Sequence, residues 1–163
     1  MTLPNLSVLR DLKARVEGAE GRDRELDAYL TAALEGGEIV WKQANYTMDQ
    51  YPTLRRPSRV HLGGFSNDPV PELTASTDAA IGLIHRALPR FDWYVNRDGG
   101  HVADVVYFAD VWNGAERERR IDIMHNTPTL ALLSGLLSAL IAKAERSSAI
   151  DTMVEIRQEL DLP

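Results

Sequence analysis

A chain of 163 residues, 44% hydrophobic and 26% charged, carries enough apolar material for one core and suits a single domain over 1–163. Its net charge of −6 argues against sequence-independent nucleic-acid binding by the whole surface. The lack of cysteine excludes disulfides, thiolate zinc sites, iron–sulfur clusters and cysteine nucleophiles. The N-terminus has no continuous apolar stretch of the signal-peptide kind, and the apolar run at 130–142 is short for a bilayer span, so a soluble, cytoplasmic protein is expected.

Asn5 or Ser7 can cap a first helix whose Leu6, Leu9, Leu12 and Val16 recur at three- to four-residue spacing. Asp23 can cap a second, with Leu26, Tyr29, Leu30, Ala33 and Leu34 as its buried side and Gly36-Gly37 as its stop. The two form an N-terminal helical hairpin. Over 38–73 the periodicity dissolves among Pro52, Pro57, Pro69, Pro71 and Gly63-Gly64. This stretch reads as an irregular insert with short strands at most, near 38–42 and 60–62.

Order returns where Thr74, Ser76 or Thr77 caps a helix carrying Ala80, Ile81, Leu83, Ile84, Ala87 and Leu88, which Pro89 ends. Phe91, Trp93 and Val95 alternate with polar residues as a strand, and Arg97-Asp98-Gly99-Gly100 reads as a hairpin turn that would set Val102 opposite Arg97. Strands follow at 102–112 and 117–124, joined by Asn113-Gly114. Asn126 or Thr127 then caps a helix with Pro128 in its first turn. Leucines cover more than one of its faces, so it is either a central core helix or the seam of a homo-oligomer over 127–143. A separate amphipathic tail helix is expected at 147–163. The class is α+β: a three-stranded antiparallel β-meander with helices on both faces, an α/β/α sandwich behind the helical hairpin.

Three stretches, GRDRELDAYLTAAL, LTASTDAAIGLIHRALPRFDWYVNRDGG and TPTLALLSGLLSALIA, resemble the phage ABA-sandwich domain family, small α/β/α proteins of bacteriophages and prophages. The likeness covers roughly 21–34 and 74–142. It implies that fold and a phage setting, but no catalytic residues. The segment at 38–73 and the tail after Ala144 lie outside it.

The chemistry-bearing residues are few. His61, His85, His101 and His125 show no HxH or HExxH spacing, and neither a phosphate-binding glycine loop nor GxSxG occurs, so no metal and no cofactor is expected. Asp104, Asp110 and Asp122 fall on neighbouring strands, as an acid/base cluster would need or as solvated strand edges. Trp41, Trp93 and Trp112 read as core. The candidate ligand-binding set is Tyr46, Tyr51, Arg55, Arg56, Arg59 and His61, which gathers arginine forks and aromatic rings in an otherwise acidic chain. Such groups suit a nucleotide-like ligand or an acidic partner surface, though arginines that pair with the chain's own carboxylates satisfy the same pattern. With the phage resemblance, these features point to a non-enzymatic accessory protein that neutralises a host factor. It would be a counter-defence inhibitor of a host protein or a sponge for a nucleotide signal. The alternatives are a small nucleotide- or metabolite-processing enzyme and a structural or assembly protein.

Overall fold

In the computed structural model the described residues are 4–44, 49–57, 64–98, 106–113 and 123–159. The elements run α1 (Leu6–Gly18), α2 (Arg24–Glu35), β1 (Glu38–Gln43), β2 (Gln50–Pro57), β3 (Phe65–Pro69), α3 (Thr77–Ala87), β4 (Phe91–Asp98), β5 (Val106–Asn113), β6 (Ile123–His125) and α4 (Pro128–Glu159). The class is α+β with N-terminal helices, and the expected antiparallel meander is present as β4-β5-β6.

Capping follows the local chemistry. Asn5 caps α1, Asp23 caps α2 and Ser76 caps α3, each side chain accepting an orphan N–H of the first turn. Thr127 accepts from Leu130 N at the start of α4. Gly36 and Gly37 both have positive φ, 75° and 120°, and end α2 in a conformation that side chains resist. A Cβ on Gly37 would also stand 3.0 Å from the Arg55 carbonyl oxygen and from Leu54 Cγ, so the turn is fixed twice over.

The stretch at 38–73 is not the irregular insert that its prolines imply. It holds a second three-stranded antiparallel sheet, β1-β2-β3. Pro52 opens the buried part of β2, Pro57 ends that strand and Pro69 ends β3, places where a missing N–H is tolerated. Ile39, Leu54, Val70, Ala28 and Ala32 form a small cluster that fastens this sheet to α2. That contact explains a second departure. The buried residues of α2 are Leu26, Asp27, Ala28, Leu30, Thr31 and Leu34, while Tyr29 is exposed beneath the Arg15 guanidinium, 4.6 Å from its ring centre. The helix is gripped on two sides, so the one-sided stripe that placed Tyr29 inside does not hold.

The main core joins α1, α2 and α3 to α4, with Phe91, Trp93, Val95, Tyr107 and Val111 packed against it. In α4 every residue from 129 to 140 is buried by α1, α3 and the β4-β5-β6 sheet of the same chain. Within the chain it is the central core helix, and of the range 127–143 only the ends, 127–128 and 141–143, keep surface. By length and composition Pro128–Ile150 would suffice to cross a membrane, but its apolar 18-residue window is 67% buried inside the protein. Nor is there a break before a separate tail helix: α4 runs unbroken to Glu159, because no glycine or proline interrupts it after Gly135. Glu145 still accepts from Arg10 of α1; beyond it residues 146–150 are exposed, and Met153 is 71% exposed.

In the second sheet Trp93 pairs with Val111 and Asp98 with Val106, so Arg97 faces Tyr107 and not Val102. Asp92, Tyr94 and Asn96 alternate outward and are exposed, while the alternate residues of β4 face α4. Residues 114–122, with the Asn113-Gly114 turn's second half and most of the expected third strand, lie outside the described residues.

Candidate functional site

The alternation of a β-strand decides what the candidate residues can do. Successive side chains of β2 point to opposite faces. Thr53 and Arg55 share one face with Tyr51, and Pro52, Leu54 and Arg56 share the other, toward α2. The expected arginine group is therefore divided by the sheet. Tyr46, Arg59 and His61 lie outside the described residues.

On the inner face Arg56 donates from Nη2 to Glu35 Oε2 at 2.7 Å, and Arg86 of α3 donates from Nε to Glu35 Oε1 at 2.8 Å. Burial pushes the Glu35 carboxyl up, but its bonds to Arg56 and Arg86 and their charges outweigh this, so its pKa lies below the ordinary 4.5. Arg56 thus ties the first sheet to α2 and α3. A depressed carboxylate pKa adds stability that is present above the unfolded value and is lost as pH falls through the folded one. We expect Glu35→Gln to cost about 1–2 kcal/mol at neutral pH. The gap from wild type should close as the pH is taken below 4.5, a trend that denaturant titrations at several pH values will read.

On the outer face the Arg55 guanidinium lies 4.2 Å from the centre of the Phe65 ring. Its contact with Glu38 is long, 3.7 Å from Nη1 to Oε2, with both side chains exposed, and such pairs contribute little. Phe65 is 56% exposed and Tyr51 42%. Tyr51 sits four residues from Arg55, about 13 Å along the strand, opposite Lys42 of β1. An aromatic ring therefore stands at each end of this face with a cation beside each, while Thr53 between them is buried and donates to the Val40 carbonyl. Tyr and Arg are enriched where protein partners bind most tightly. Trp41 is not in the core: it is 43% exposed on the edge strand β1, opposite Pro52. Trp93 and Trp112 are half-buried.

Other candidates separate. His85 is exposed on α3. His125 ends β6 opposite Tyr107, with Nδ1 buried and without a hydrogen-bond partner among the described residues. His101, Asp104 and Asp122 lie outside the described residues, and Asp110 pairs in register with Tyr94. Among the described residues no group of three or more His, Asp or Glu side chains gathers as a metal would need.

Two features escaped the sequence reading. Phe65 follows a glycine pair and precedes Ser-Asn-Asp, a composition depleted in strand formers, so its place beside Arg55 depends on the sheet pairing. The other is a buried clamp. Asp27, fully buried, accepts from Thr74 N at 2.7 Å and from Arg24 Nη1 at 2.9 Å, while Arg24 also donates to the carbonyls of Val70 and Pro71. The Asp23 N–H donates to Thr74 Oγ1. These bonds hold the 70–74 connection, and with it the end of β3 and the start of α3, against α2. A charged residue between Leu26 and Ala28 was the available signal.

Comparison with protein-family models, with curated proteins and with solved structures finds no match for this chain.

Proposed function

We propose that this chain is a non-enzymatic accessory protein of the phage or prophage kind that its sequence resembles, acting in the host cytoplasm by docking on a host protein and neutralising it. The observation that carries the reading is the outer face of the first sheet. There Arg55 lies across an exposed Phe65 ring, Tyr51 is exposed farther along the strip, and Glu38, the carboxylate paired with Arg55 among the described residues, is held loosely. Exposed aromatic rings beside a guanidinium supply rigid apolar area with a charged anchor, the chemistry of a docking surface. A protein partner is favoured over a nucleotide signal because Arg56 turns inward onto Glu35, leaving the phosphate-gripping pair of neighbouring arginines divided between two faces.

The test is capture of a host protein from bacterial lysate on the immobilised chain, compared across single variants. Arg55→Ala and Phe65→Ser should each release the captured partner while changing stability by less than about 0.5 kcal/mol, as expected of exposed positions. Arg56→Ala should instead lower stability by about 1–3 kcal/mol, because it strips a partner from Glu35. Capture unaffected by Arg55→Ala and Phe65→Ser would remove this face from the reading. A small molecule retained in native mass spectrometry and lost with Arg55→Ala would replace the inhibitor with a sponge.

A further inference from the structure

The geometry points to a second interaction surface, the free edge of β1, whose partner is β1 of a second copy of this chain in antiparallel register about Val40. In the first sheet, order β1-β2-β3, β1 is bonded among the described residues to β2 alone, so over Glu38–Lys42 its other edge has no strand against it among those residues and can take one. Two-fold antiparallel pairing of a strand with itself sets residues of the same alternation opposite one another, because facing residues are either both hydrogen-bonded or both not. For Glu38–Gln43 this leaves few registers. The one centred on Val40 places Glu38 against Lys42 of the second copy, Ile39 against its Trp41, and Val40 against its Val40. Each charge meets its opposite twice across the axis, and each apolar residue meets an apolar one, the pairs that stabilise a sheet.

Features that the single chain leaves unexplained fit this register. Trp41 is 43% exposed on an edge strand and would be covered by Ile39 of the copy. Among the described residues Glu38 is paired with Arg55 alone, and at long range. A lysine on an edge strand guards against indiscriminate pairing, and in this register alone among the close alternatives Lys42 is answered by a carboxylate, so it selects the partner. The helical layer leaves room. α2 packs more on β2 than on β1, which places it about 7 Å from the axis and the two copies of α2 about 14 Å apart, more than the 8–10 Å of packed helices. The product is a six-stranded sheet, β3-β2-β1-β1-β2-β3, with both outer faces on the same side. This interface does not depend on the host-docking reading.

Sedimentation or light scattering of the full chain should report twice the 18.2 kDa chain mass. Lys42→Glu sets like charges opposite one another and should raise the dimer dissociation constant roughly tenfold or more. The exchange Glu38→Lys with Lys42→Glu rebuilds both pairs and should restore the dimer. Since the chain has no cysteine, Val40→Cys supplies a single thiol on the axis that a short bis-maleimide should link to its copy. Asn67→Cys on β3, about 24 Å from its copy across five strand spacings, should stay unlinked, and circular dichroism of each variant reports folding. A monomeric wild type overturns the proposal. So does a dimer that resists Lys42→Glu and fails to link through residue 40, which would lie on another surface such as the projecting end of α4.

Discussion

Leu133→Ala should lower the unfolding free energy by about 3 kcal/mol, within the range for deleting a fully buried leucine side chain, and the melting temperature by roughly 6–12 °C for a chain of this length. Leu133 has no exposed surface and sits midway along a stretch of α4 buried all the way round. The helix is packed against α1, α3 and the β4-β5-β6 sheet, so no single element can move in to fill the space. Met153→Ala, twenty positions further along the same helix, should change stability by less than about 0.5 kcal/mol, because its side chain already lies in water. Thermal and denaturant melts of the two variants, side by side, read the contrast. Equal losses would mean that the distal part of α4 folds back onto the body.

Asp27→Ala should cost about 3 kcal/mol, the usual penalty for removing one partner from a buried charged cluster. It strands the Thr74 N–H and leaves Arg24 Nη1 with the Pro71 carbonyl but no counter-charge. Asp27→Asn should cost about 1 kcal/mol, a single net hydrogen bond. The reason is in the charge. Burial pushes the Asp27 carboxyl above its ordinary 3.8, and the bonds from Thr74 and Arg24 only partly pull it back. By linkage a carboxyl raised on folding loses stability as pH rises from its unfolded value through its folded one. The negative charge is therefore a cost, and the acceptor oxygen toward Thr74 is the contribution, which an amide keeps. Chemical denaturation of the two variants separates these roles. An Asn variant as damaged as the Ala variant would assign the stability to the charge.

How much of this was legible in the sequence depends on the range of the determining interaction. The caps at Asn5, Asp23, Ser76 and Thr127 are local, and each was among the residues that the pattern offered. The meander was legible because Phe91, Trp93 and Val95 alternate cleanly. The first sheet was not. Its strands carry Pro52, Pro57 and Pro69 and a polar Ser-Asn-Asp, and they form because Leu54, Ile39 and Val70 find Ala28 and Ala32 on α2, a tertiary gain that local propensity cannot register. The candidate site inherits that limit. Arg55 and Arg56 look equivalent in sequence, but once β2 exists they face opposite ways, one onto Glu35 and the other across Phe65. The fully apolar character of α4 was plain, yet that α1, α3 and β4-β5-β6 of the same chain coat its 129–140 stretch became visible only in the packing.

The docking reading is tested most directly by a photoactivatable aromatic residue placed singly at position 51, 65 or 94, with cross-linking carried out in bacterial cells. Positions 51 and 65 lie on the outer face of the first sheet, and position 94 is an exposed tyrosine on the second, at 36% against 42% and 56%. The account predicts a cross-linked host protein from 51 or 65 and none from 94. Adducts from 94 with none from the first sheet would contradict it, and would move the docking surface to the open face of the meander.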